Sequence, residues 1–396
     1  MSYEIALSGI NAVNAELDTI SNNIANSSTY GFKTSRTNFS AMYAGTQAMG
    51  TEVGSMTQSI EEGGSTLSTG RNMDAAIQGR GFFAVRDTST GQTFFTRVGI
   101  FTTDQSGYVV DSTGRRVQGY STTADSTTLG AMGDLKVPNG QIAAKATDKI
   151  SYVANLSADW SVPTVATFDK TNAQSFNSSM VSVVYDSLGV QHSLTQYFVK
   201  TGTNQVTAHY SLDGTDMAAT TDFTFDSKGQ MTVPAAAVSL NLGTPTGAAP
   251  LTVAIDYTGT TQFAGEATNT ANQVNGYASG TLTAVKIADD GSVQAQYSNG
   301  QKQQIGVIAL ATFANEGALT AVSDTSWTSS NASGTALYFA PGTGMAGTLT
   351  AGALEQSNVD MTSQLVDLMA AQRNYQANSK VISTQNDVMQ ALMQAI

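Results

Sequence analysis

The chain has 396 residues, of which 18 are Lys or Arg and 30 are Asp or Glu, so its formal net charge is −12. This balance argues against nucleic acid and against an anionic membrane surface as partners. The chain has no cysteine, which excludes disulfides, thiol nucleophiles and zinc-thiolate sites.

Composition predicts a β-rich protein with several folded parts. Only 12% of residues are charged and 37 are glycine, which is typical of turn-rich β structure. The length exceeds a single typical core, so we expect two or three folded units besides any helical ends. No stretch of about 20 apolar residues is present. No cationic start followed by an apolar run of about 7 to 15 residues is present either, so we expect no cleaved signal and no membrane insertion.

The first 26 residues carry an apolar period typical of a helix. Steps of three and four separate Tyr3, Ala6, Ile10, Val13, Leu17, Ile20 and Ile24. This spacing predicts an amphipathic helix over residues 3–26, about 36 Å long. The same segment contains Glu4, Glu16 and Asp18 and no cation, whereas a helix that lies on a membrane surface is rich in cations.

Between the two ends the pattern is that of strands and turns. Residues 27–72 predict an extended connector with short β segments, such as residues 54–60. Short alternating runs separated by Asp-x-x-Gly turns then predict an inner β domain over residues 73–145 and 276–344. A second, outer β domain is predicted at residues 146–275, inserted in the first.

The C-terminal segment repeats the helical period. The predicted seam consists of Met361, Leu365, Leu368, Gln372, Tyr375, Ser379, Ile382, Asn386, Met389, Met393 and Ile396. Residues 345–357 predict the returning connector. Ser357 and Asp360 have the spacing of a capping box, which places the helix start near residue 358.

A spacing of about 3.5 residues keeps an apolar stripe facing a neighbouring helix over several turns. We therefore expect an α-helical, coiled-coil terminal domain formed by residues 1–26 and 358–396, ordered by packing of the two ends against each other and against further copies of the chain. The self-assembly residues predicted on these helices are Ile10, Val13, Leu17, Ile20, Ile24, Leu365, Leu368, Tyr375, Ile382 and Met389. An ordinary intramolecular core helix is the alternative interpretation.

No pattern in the chain predicts catalysis, a cofactor or a metal. The Gly-x-Gly-x-x-Gly run at residues 342–347 lacks the following helix that a dinucleotide site requires. The two histidines, His192 and His209, are interpreted as solvated strand positions. Adjacent carboxylates such as Asp289 and Asp290 fall where turns are expected, so we expect no enzymatic activity.

Two groups of residues resemble known sequence signatures, one at each end of the chain. The segments 8–12, 22–26 and 29–33, with Leu17 and Arg36, resemble the N-terminal signature of bacterial flagellar axial proteins, the rod and hook group. The segments 354–360 and 372–378 resemble their C-terminal signature. The residues that carry the resemblance include Asn22, Asn23, Ile24, Ala25, Asn26, Gly31, Phe32, Lys33, Ser357, Asn358, Val359, Asp360, Gln372, Arg373 and Tyr375. Length, the long insert and residues 306–319 are most similar to hook proteins.

The resemblance implies a structural subunit that polymerises into a flexible helical tube. Such a tube acts as a universal joint that transmits torque from motor and rod to filament, with the terminal helices lining the inside. It also implies a distal rod protein, a hook cap protein and a hook-filament junction protein as partners. Export through the type III apparatus, without a cleaved signal, would place the chain in the extracellular hook.

Two alternatives stay open from the sequence: a distal rod subunit and, in another class, a secreted β-rich adhesin or enzyme. Within the axial interpretation, Tyr375 falls on the predicted seam and Arg373 falls outside it. We therefore expect Tyr375 to make a buried contact between helices. Arg373 is predicted to pair with Asp18 or Glu16 of an adjacent chain.

Overall fold

The computed structural model describes residues 2–122, 128–138 and 140–394. In these residues the helices lie at the chain ends, α1 (Ser2–Ala25) and α2 (Met361–Gln394), and the part between them is built from strands and turns with one 3-10 turn at Glu316–Ala318. Ile396, the last residue of the predicted seam, lies outside the described residues.

The strands between the two helices are mostly short. In chain order they are β1 (Ser35–Ala44), β2 (Gln47–Gln58), β3 (Thr66–Ser68), β4 (Ala75–Gln78), β5 (Phe82–Arg86), β6 (Thr93–Thr96), β7 (Phe101–Thr103), β8 (Val109–Asp111), β9 (Arg116–Ser121), β10 (Met132–Asp134), β11 (Gln141–Ile142), β12 (Lys149–Asn155), β13 (Ser178–Tyr185), β14 (Gln191–Gly202), β15 (Gln205–Leu212), β16 (Thr215–Phe225), β17 (Met231–Val233), β18 (Val238–Asn241), β19 (Thr252–Asp256), β20 (Thr268–Val274), β21 (Gly280–Ile287), β22 (Ser292–Tyr297), β23 (Lys302–Ile308), β24 (Leu310–Thr312), β25 (Thr320–Val322), β26 (Ser326–Thr328), β27 (Leu337–Phe339), β28 (Thr348–Ala351) and β29 (Ala353–Glu355).

The chain divides into two compact units. The first unit comprises Met1–Asn139, Thr283–Gln296 and Lys302–Ile396, and the second comprises Gly140–Leu282 and Tyr297–Gln301. Both helices therefore belong to the first unit.

The second unit encloses a core between two sheets. One sheet has the order β18-β19-β12-β20, and the other is a meander from β13 to β17. Because successive side chains of a strand point to opposite faces, every second residue is buried, as along β12. The buried residues include Ile150, Tyr152, Leu194, Phe198, Val206, Tyr210, Phe223, Val253, Ile255 and Tyr257.

The first unit contains a β body built around one long chain of paired strands. Strands β22, β23, β9, β5, β6, β26 and β25 follow one another in the sheet, and β24 joins β5 to β27. One face of β5 contributes Phe82 and Ala84 to a core that also holds Phe95, Phe313 and Trp327. Phe83 and Val85 on the other face are buried as well, so β5 is covered on both sides.

A long hairpin follows α1 in the chain and precedes the strands of this body. Strand β1 pairs with β2 in antiparallel register from Ser35 opposite Gln58 to Ala44 opposite Gln47. The sequence predicted only short β segments here. The difference arises because the β2 segment, GTEVGSMT, has no strong apolar alternation, so pairing with β1 defines the strand.

The two terminal helices lie antiparallel to each other. Near one end Asn23 bonds to Gln364, and near the other Gly9 approaches Asn378. Between them Val13 and Ile20 pack on Ala371. The helix limits agree with the sequence to within a few residues.

The start of α2 differs in detail from the prediction. Asp360 is the N-cap, because its Oδ1 accepts the N–H of Thr362 at 2.8 Å. Ser357 instead accepts the N–H of Val359 at 3.3 Å, three residues too early for the predicted capping role.

Candidate functional site

The two chain ends meet the β body at one buried polar cluster. We call this cluster the terminal junction and define it as Asn23, Lys33, Arg97, Glu355 and Asn358. Lys33 follows α1, Glu355 ends β29 shortly before α2, and Arg97 directly follows β6 of the body. The terminal junction therefore ties together both connectors and the body.

Three charges form its centre. The Lys33 ammonium donates to Glu355 Oε1 at 2.7 Å, and Arg97 reaches the other carboxylate oxygen of Glu355 at 3.2 Å. Lys33 also donates to the carbonyl of Glu62 at 2.6 Å, and Arg97 to the carbonyl of Gly79 at 2.9 Å. The carboxylate thus holds two cations that come from distant parts of the sequence.

These charges are removed from water. The side chains of Lys33, Arg97 and Glu355 are at most 1% exposed. Burial lowers the pKa of the Lys33 ammonium, while the nearby Glu355 carboxylate acts in the opposite direction. Removing one member of such a buried pair leaves an uncompensated charge, which typically destabilises a fold by about 3–5 kcal/mol.

Two asparagines complete the terminal junction through backbone groups. Asn358 Oδ1 accepts the Thr34 N–H at 2.7 Å, and its amide donates to the carbonyl of Ser59 at 3.0 Å. Asn23 exchanges two hydrogen bonds with the backbone of Ser35, at 2.8 and 2.9 Å. These bonds satisfy backbone groups at the start of β1 and just after the end of β2.

A glycine allows the N-terminal connector to pass closely over the body. Gly31 has φ +67°, and a Cβ at this position would lie 3.0 Å from the carbonyl carbon of Arg97. Its N–H donates to the carbonyl of Glu355 at 2.8 Å. Only glycine combines this left-handed conformation with such a close approach.

The predicted self-assembly residues fall into two groups in the structure. Val13 and Ile20 are buried, and Leu17, Ile24 and Leu368 pack against them. Ile10 and Ile382 are half-buried. In contrast, Leu365, Tyr375 and Met389 are exposed, at 47%, 39% and 54%. Tyr375 therefore makes no buried contact within one chain, and its contact with a neighbouring chain stays a prediction.

The residues of the two signatures are distributed between the terminal junction and the ends of the helices. Lys33, Asn23 and Asn358 belong to the terminal junction, and Phe32 and Val359 are half-buried beside it. Asn26 donates to Asn22 Oδ1 at 2.7 Å at the end of α1. Ala25, Gln372 and Arg373 are exposed.

Three functional residues carried no predicted role: Arg97, Glu355 and Gln364. Glu355 lies inside the segment that resembles the C-terminal signature, so that resemblance was the one available signal for it. Gln364 is a polar residue on the face of α2 that contacts α1, where it accepts a hydrogen bond from Asn23 at 2.9 Å.

The histidines differ from their predicted solvated positions. His192 Nδ1 lies 2.6 Å from Asp213 Oδ2, and its Nε2 lies 3.4 Å from Asp186 Oδ2. His209 stacks on Phe168 with ring centroids 4.3 Å apart. Their positions in adjacent strands of a sheet gave no indication of these neighbours, because both partners of His192 and the ring of Phe168 lie in turns and loops.

Within residues 2–122, 128–138 and 140–394, no group of three or more His, Asp or Glu side chains is placed to hold a metal. In the same ranges, no helix is both long and apolar enough to cross a membrane.

Family models match most of the chain. A flagella basal body rod protein model matches residues 4–33, and a flagellar hook protein FlgE/F/G D1 domain model matches residues 76–152. A flagellar basal body protein FlaE D2 domain model matches residues 155–277. A flagellar basal body rod FlgEFG protein C-terminal model matches residues 350–395.

Full-length relatives decide the family. The flagellar hook protein FlgE of Escherichia coli is 40% identical over 99% of both chains. That of Salmonella typhimurium is 39% identical over 99% of both, and that of Brucella suis is 33% identical over 98% of this chain and 96% of its own. This chain belongs to the flagellar hook protein family. It is a structural subunit of the bacterial hook, outside the cell, and not an enzyme.

A solved structure agrees with the fold. The flagellar hook protein FlgE2 of Helicobacter pylori matches with a TM-score of 0.55 at 13% identity, over 73% of this chain and 99% of that one. At this identity the match supports the fold alone.

Proposed function

We propose that this hook subunit polymerises through its terminal helices, with the paired helices of many copies forming the inside of a tube and the β units facing outwards. The tube would act as a flexible joint that transmits torque. In this proposal the terminal junction fixes each helix pair to its β body, so that force applied to the helices reaches the body.

This proposal rests on the apolar surface that the two helices leave exposed in a single chain. Along α1 this surface includes Tyr3, Ile5 and Leu7. Along α2 it includes Met361, Leu365, Val366, Met369, Tyr375, Val381, Val388, Met389, Leu392 and Met393. Large contiguous apolar patches on a soluble protein mark interaction sites.

The last part of α2 extends beyond the start of α1. Since Gly9 lies beside Asn378, antiparallel packing brings Ser2 level with about Gln385, and α2 continues for about 14 Å beyond at 1.5 Å per residue. Met389, Leu392 and Met393 on this stretch are among its most exposed apolar residues. Neighbouring copies would cover them.

The remaining expectations complete the proposal. The terminal helices would form coiled-coil-like contacts, and residues 146–275 would be a domain inserted in the domain of residues 73–145 and 276–344. The distal rod protein, the hook cap protein and the hook-filament junction protein would be its neighbours. Export would use the type III apparatus without cleavage of a signal.

Polymerisation of the purified full-length chain tests this proposal. Replacing Val388, Met389, Leu392 and Met393 together with Gln should abolish polymer that sediments in the ultracentrifuge and is visible by electron microscopy. The circular dichroism spectrum of the monomer should be nearly unchanged, since these side chains are exposed in one chain.

A matched control replaces exposed apolar residues of the second unit. Val162 and Leu188 are 56% and 61% exposed, and their replacement with Gln should leave polymerisation intact. Normal polymer from the four-residue α2 variant would contradict the proposal.

A further inference from the structure

A groove runs along α1 between α2 and the β1–β2 hairpin. One cavity of about 320 Å³ is lined by Gly9, Ala12 and Val13 of α1, with Phe39 on the hairpin side and Asn378 on the α2 side. A neighbouring cavity of about 180 Å³ continues along the same helix. Glu16 lines both cavities, so they form one groove.

The floor of this groove is a single face of α1. Its floor residues are Gly9, Ala12, Val13, Glu16, Thr19, Ile20 and Asn23, which recur at steps of three and four. From Gly9 to Asn23 this face is about 21 Å long at 1.5 Å per residue.

Two carboxylates, Glu16 and Asp367, line the groove close enough to repel each other. Burial and the neighbouring Asp367 carboxylate both raise the pKa of Glu16. Neither Glu16 nor Asp367 forms an ion pair or a hydrogen bond among the described residues. Arg36 also lines the groove, but its Nε donates to Asn38 Oδ1 at 3.1 Å. The site thus has an unmet requirement for positive charge.

One helical face of the chain has the matching charge and length. Leu365, Met369, Arg373, Gln376 and Lys380 are all exposed and lie on one side of α2. This cationic face is about 22 Å long at 1.5 Å per residue. The two helices contain no cation besides Arg373 and Lys380, and neither forms an ion pair within the described residues.

The cationic face cannot reach the groove of its own chain. Gln364, Leu368 and Ala371 are the α2 residues turned toward α1. At about 100° per residue, the cationic face lies roughly 135° around the helix from them. A single α2 can therefore contact its own α1 on one side and a second chain on the other.

Charge also excludes the other exposed helical segments as occupants. The end of α2 carries Asp387, and α1 carries Glu4, Glu16 and Asp18 with no cation. Either segment would bring a like charge toward Glu16 and Asp367, which is unfavourable in a partly buried contact.

We propose that the groove binds the cationic face of α2 from a second copy of the chain, with the incoming Arg373 between Glu16 and Asp367. The proposal rests on the polymerisation proposed above and names one of its contacts. Groove and cationic face are different surfaces of each chain, so the contact is heterologous, which is the class of contact that builds open filaments when its rotation does not close a ring. It also selects Glu16 over Asp18 as the acidic partner of Arg373.

A charge-reversal cycle on the purified full-length chain tests this contact. Glu16→Arg and Arg373→Glu should each lower the amount of sedimenting polymer by roughly tenfold, because each places like charges together in the contact. The double variant should recover most of the polymer, within roughly threefold of the natural chain, since Asp367 still opposes the new Glu.

Two controls make equal charge changes elsewhere. Asp18→Arg alters an exposed residue of α1 outside the groove, and Lys228→Glu alters an exposed residue of the second unit. Both should polymerise normally. Circular dichroism of each monomer should match that of the natural chain, which separates a lost contact from misfolding.

The contact would be refuted by normal polymer from either single variant, or by a double variant that assembles no better than the worse single one. If these variants polymerise while the four-residue α2 variant does not, the groove contact is wrong and the polymerisation proposal stands. If the four-residue α2 variant also polymerises, both are wrong.

Discussion

The second unit and the terminal helix pair bury their apolar residues to very different degrees. In the second unit Tyr152, Phe198 and Tyr257 are at most 2% exposed between two sheets. In the helix pair Val13 and Ile20 are buried, whereas Met393 is 69% exposed. The second unit thus buries its apolar residues within a single chain, whereas the helix pair leaves apolar surface exposed, as the proposed contacts with further copies require.

The terminal junction stands between these extremes, because its charged centre is buried but polar. Its charges make the attachment of the helix pair to the β body sensitive to single substitutions. The chain's two tryptophans allow each region to be followed separately: Trp327 lies in the core of the β body, and Trp160 packs on the core of the second unit. In a Trp160→Phe or Trp327→Phe variant, the remaining tryptophan reports the unfolding of its own unit alone.

The largest expected effect on stability comes from Glu355→Gln. The substitution leaves Lys33 and Arg97 buried without their shared carboxylate. We expect a loss of about 3–5 kcal/mol in the free energy of unfolding, measured by Trp327 fluorescence in urea. Trp160 should report no change.

Glu61→Gln is the matched control, since Glu61 is exposed and should change stability by less than about 0.5 kcal/mol. If Glu355→Gln has as small an effect as Glu61→Gln, the terminal junction does not hold the first unit together.

Tyr257→Phe tests the core of the second unit. The Tyr257 hydroxyl donates to Gln196 Oε1 at 2.6 Å and lies 2.8 Å from the Tyr210 hydroxyl. Its removal leaves the buried Gln196 Oε1 without its donor, while Tyr210 keeps its bond to Thr221. We therefore expect a loss of about 1–3 kcal/mol, seen by Trp160 and not by Trp327. Tyr197→Phe is the control, because its hydroxyl has no hydrogen bond among the described residues; equal losses would contradict the assignment.

Gly31→Ala should destabilise the first unit by about 1–2 kcal/mol, because a left-handed backbone is unfavourable for a residue with a Cβ. Gly45→Ala provides the comparison: Gly45 has φ +65° but no atom within 4 Å of the position that a Cβ would occupy, whereas a Cβ on Gly31 would meet Arg97 at 3.0 Å. Trp327 unfolding curves should show the greater loss for Gly31. The reverse order would mean that the close approach to Arg97 is unimportant.

The smallest expected effect is a pH dependence of the stability of the second unit. Hydrogen bonds that the His192 ring donates to Asp213 and Asp186 raise its pKa above the usual 6.5, against the opposing effect of burial. The folded-state pKa is thus above the unfolded value, so this contribution is fully present below pH 6.5 and is lost as pH rises through the folded-state pKa. The unfolding midpoint followed by Trp160 should fall slightly between pH 6 and 8.

His192→Gln should remove this part of the pH dependence. Burial opposes but does not outweigh the hydrogen bonds that lower the pKa of Asp186 and of Asp213. These two carboxylates act in a separate, acidic range, where stability falls as they are protonated. An unchanged slope between pH 6 and 8 in the His192→Gln variant would show that another group is responsible.

The sequence predicts the helices well because their periodicity is local. It places their ends within a few residues and identifies Val13, Ile20 and Leu368 as part of the seam. It could not select Gln364 over Leu365 as the residue that faces α1, since Gln364 is buried through its bond to Asn23 and not through hydrophobicity.

The terminal junction could not be predicted from periodicity or composition. Lys33 and Glu355 are 322 positions apart, and an isolated charged residue in a sequence is usually exposed. Their pairing depends on strand β29 and the N-terminal connector meeting at the β body. The signature resemblance identified Lys33 and Asn358 as special positions but gave no account of what they contact.

Hydrogen exchange measured by mass spectrometry on the full-length chain, as dilute monomer and as polymer, tests the central claim most directly. The account predicts that amides of α1 and α2 exchange rapidly in the monomer and are strongly protected in the polymer, while β12 to β19 of the second unit are protected in both. Equal protection of the helices in monomer and polymer would show that a single chain already completes them, and would contradict the account.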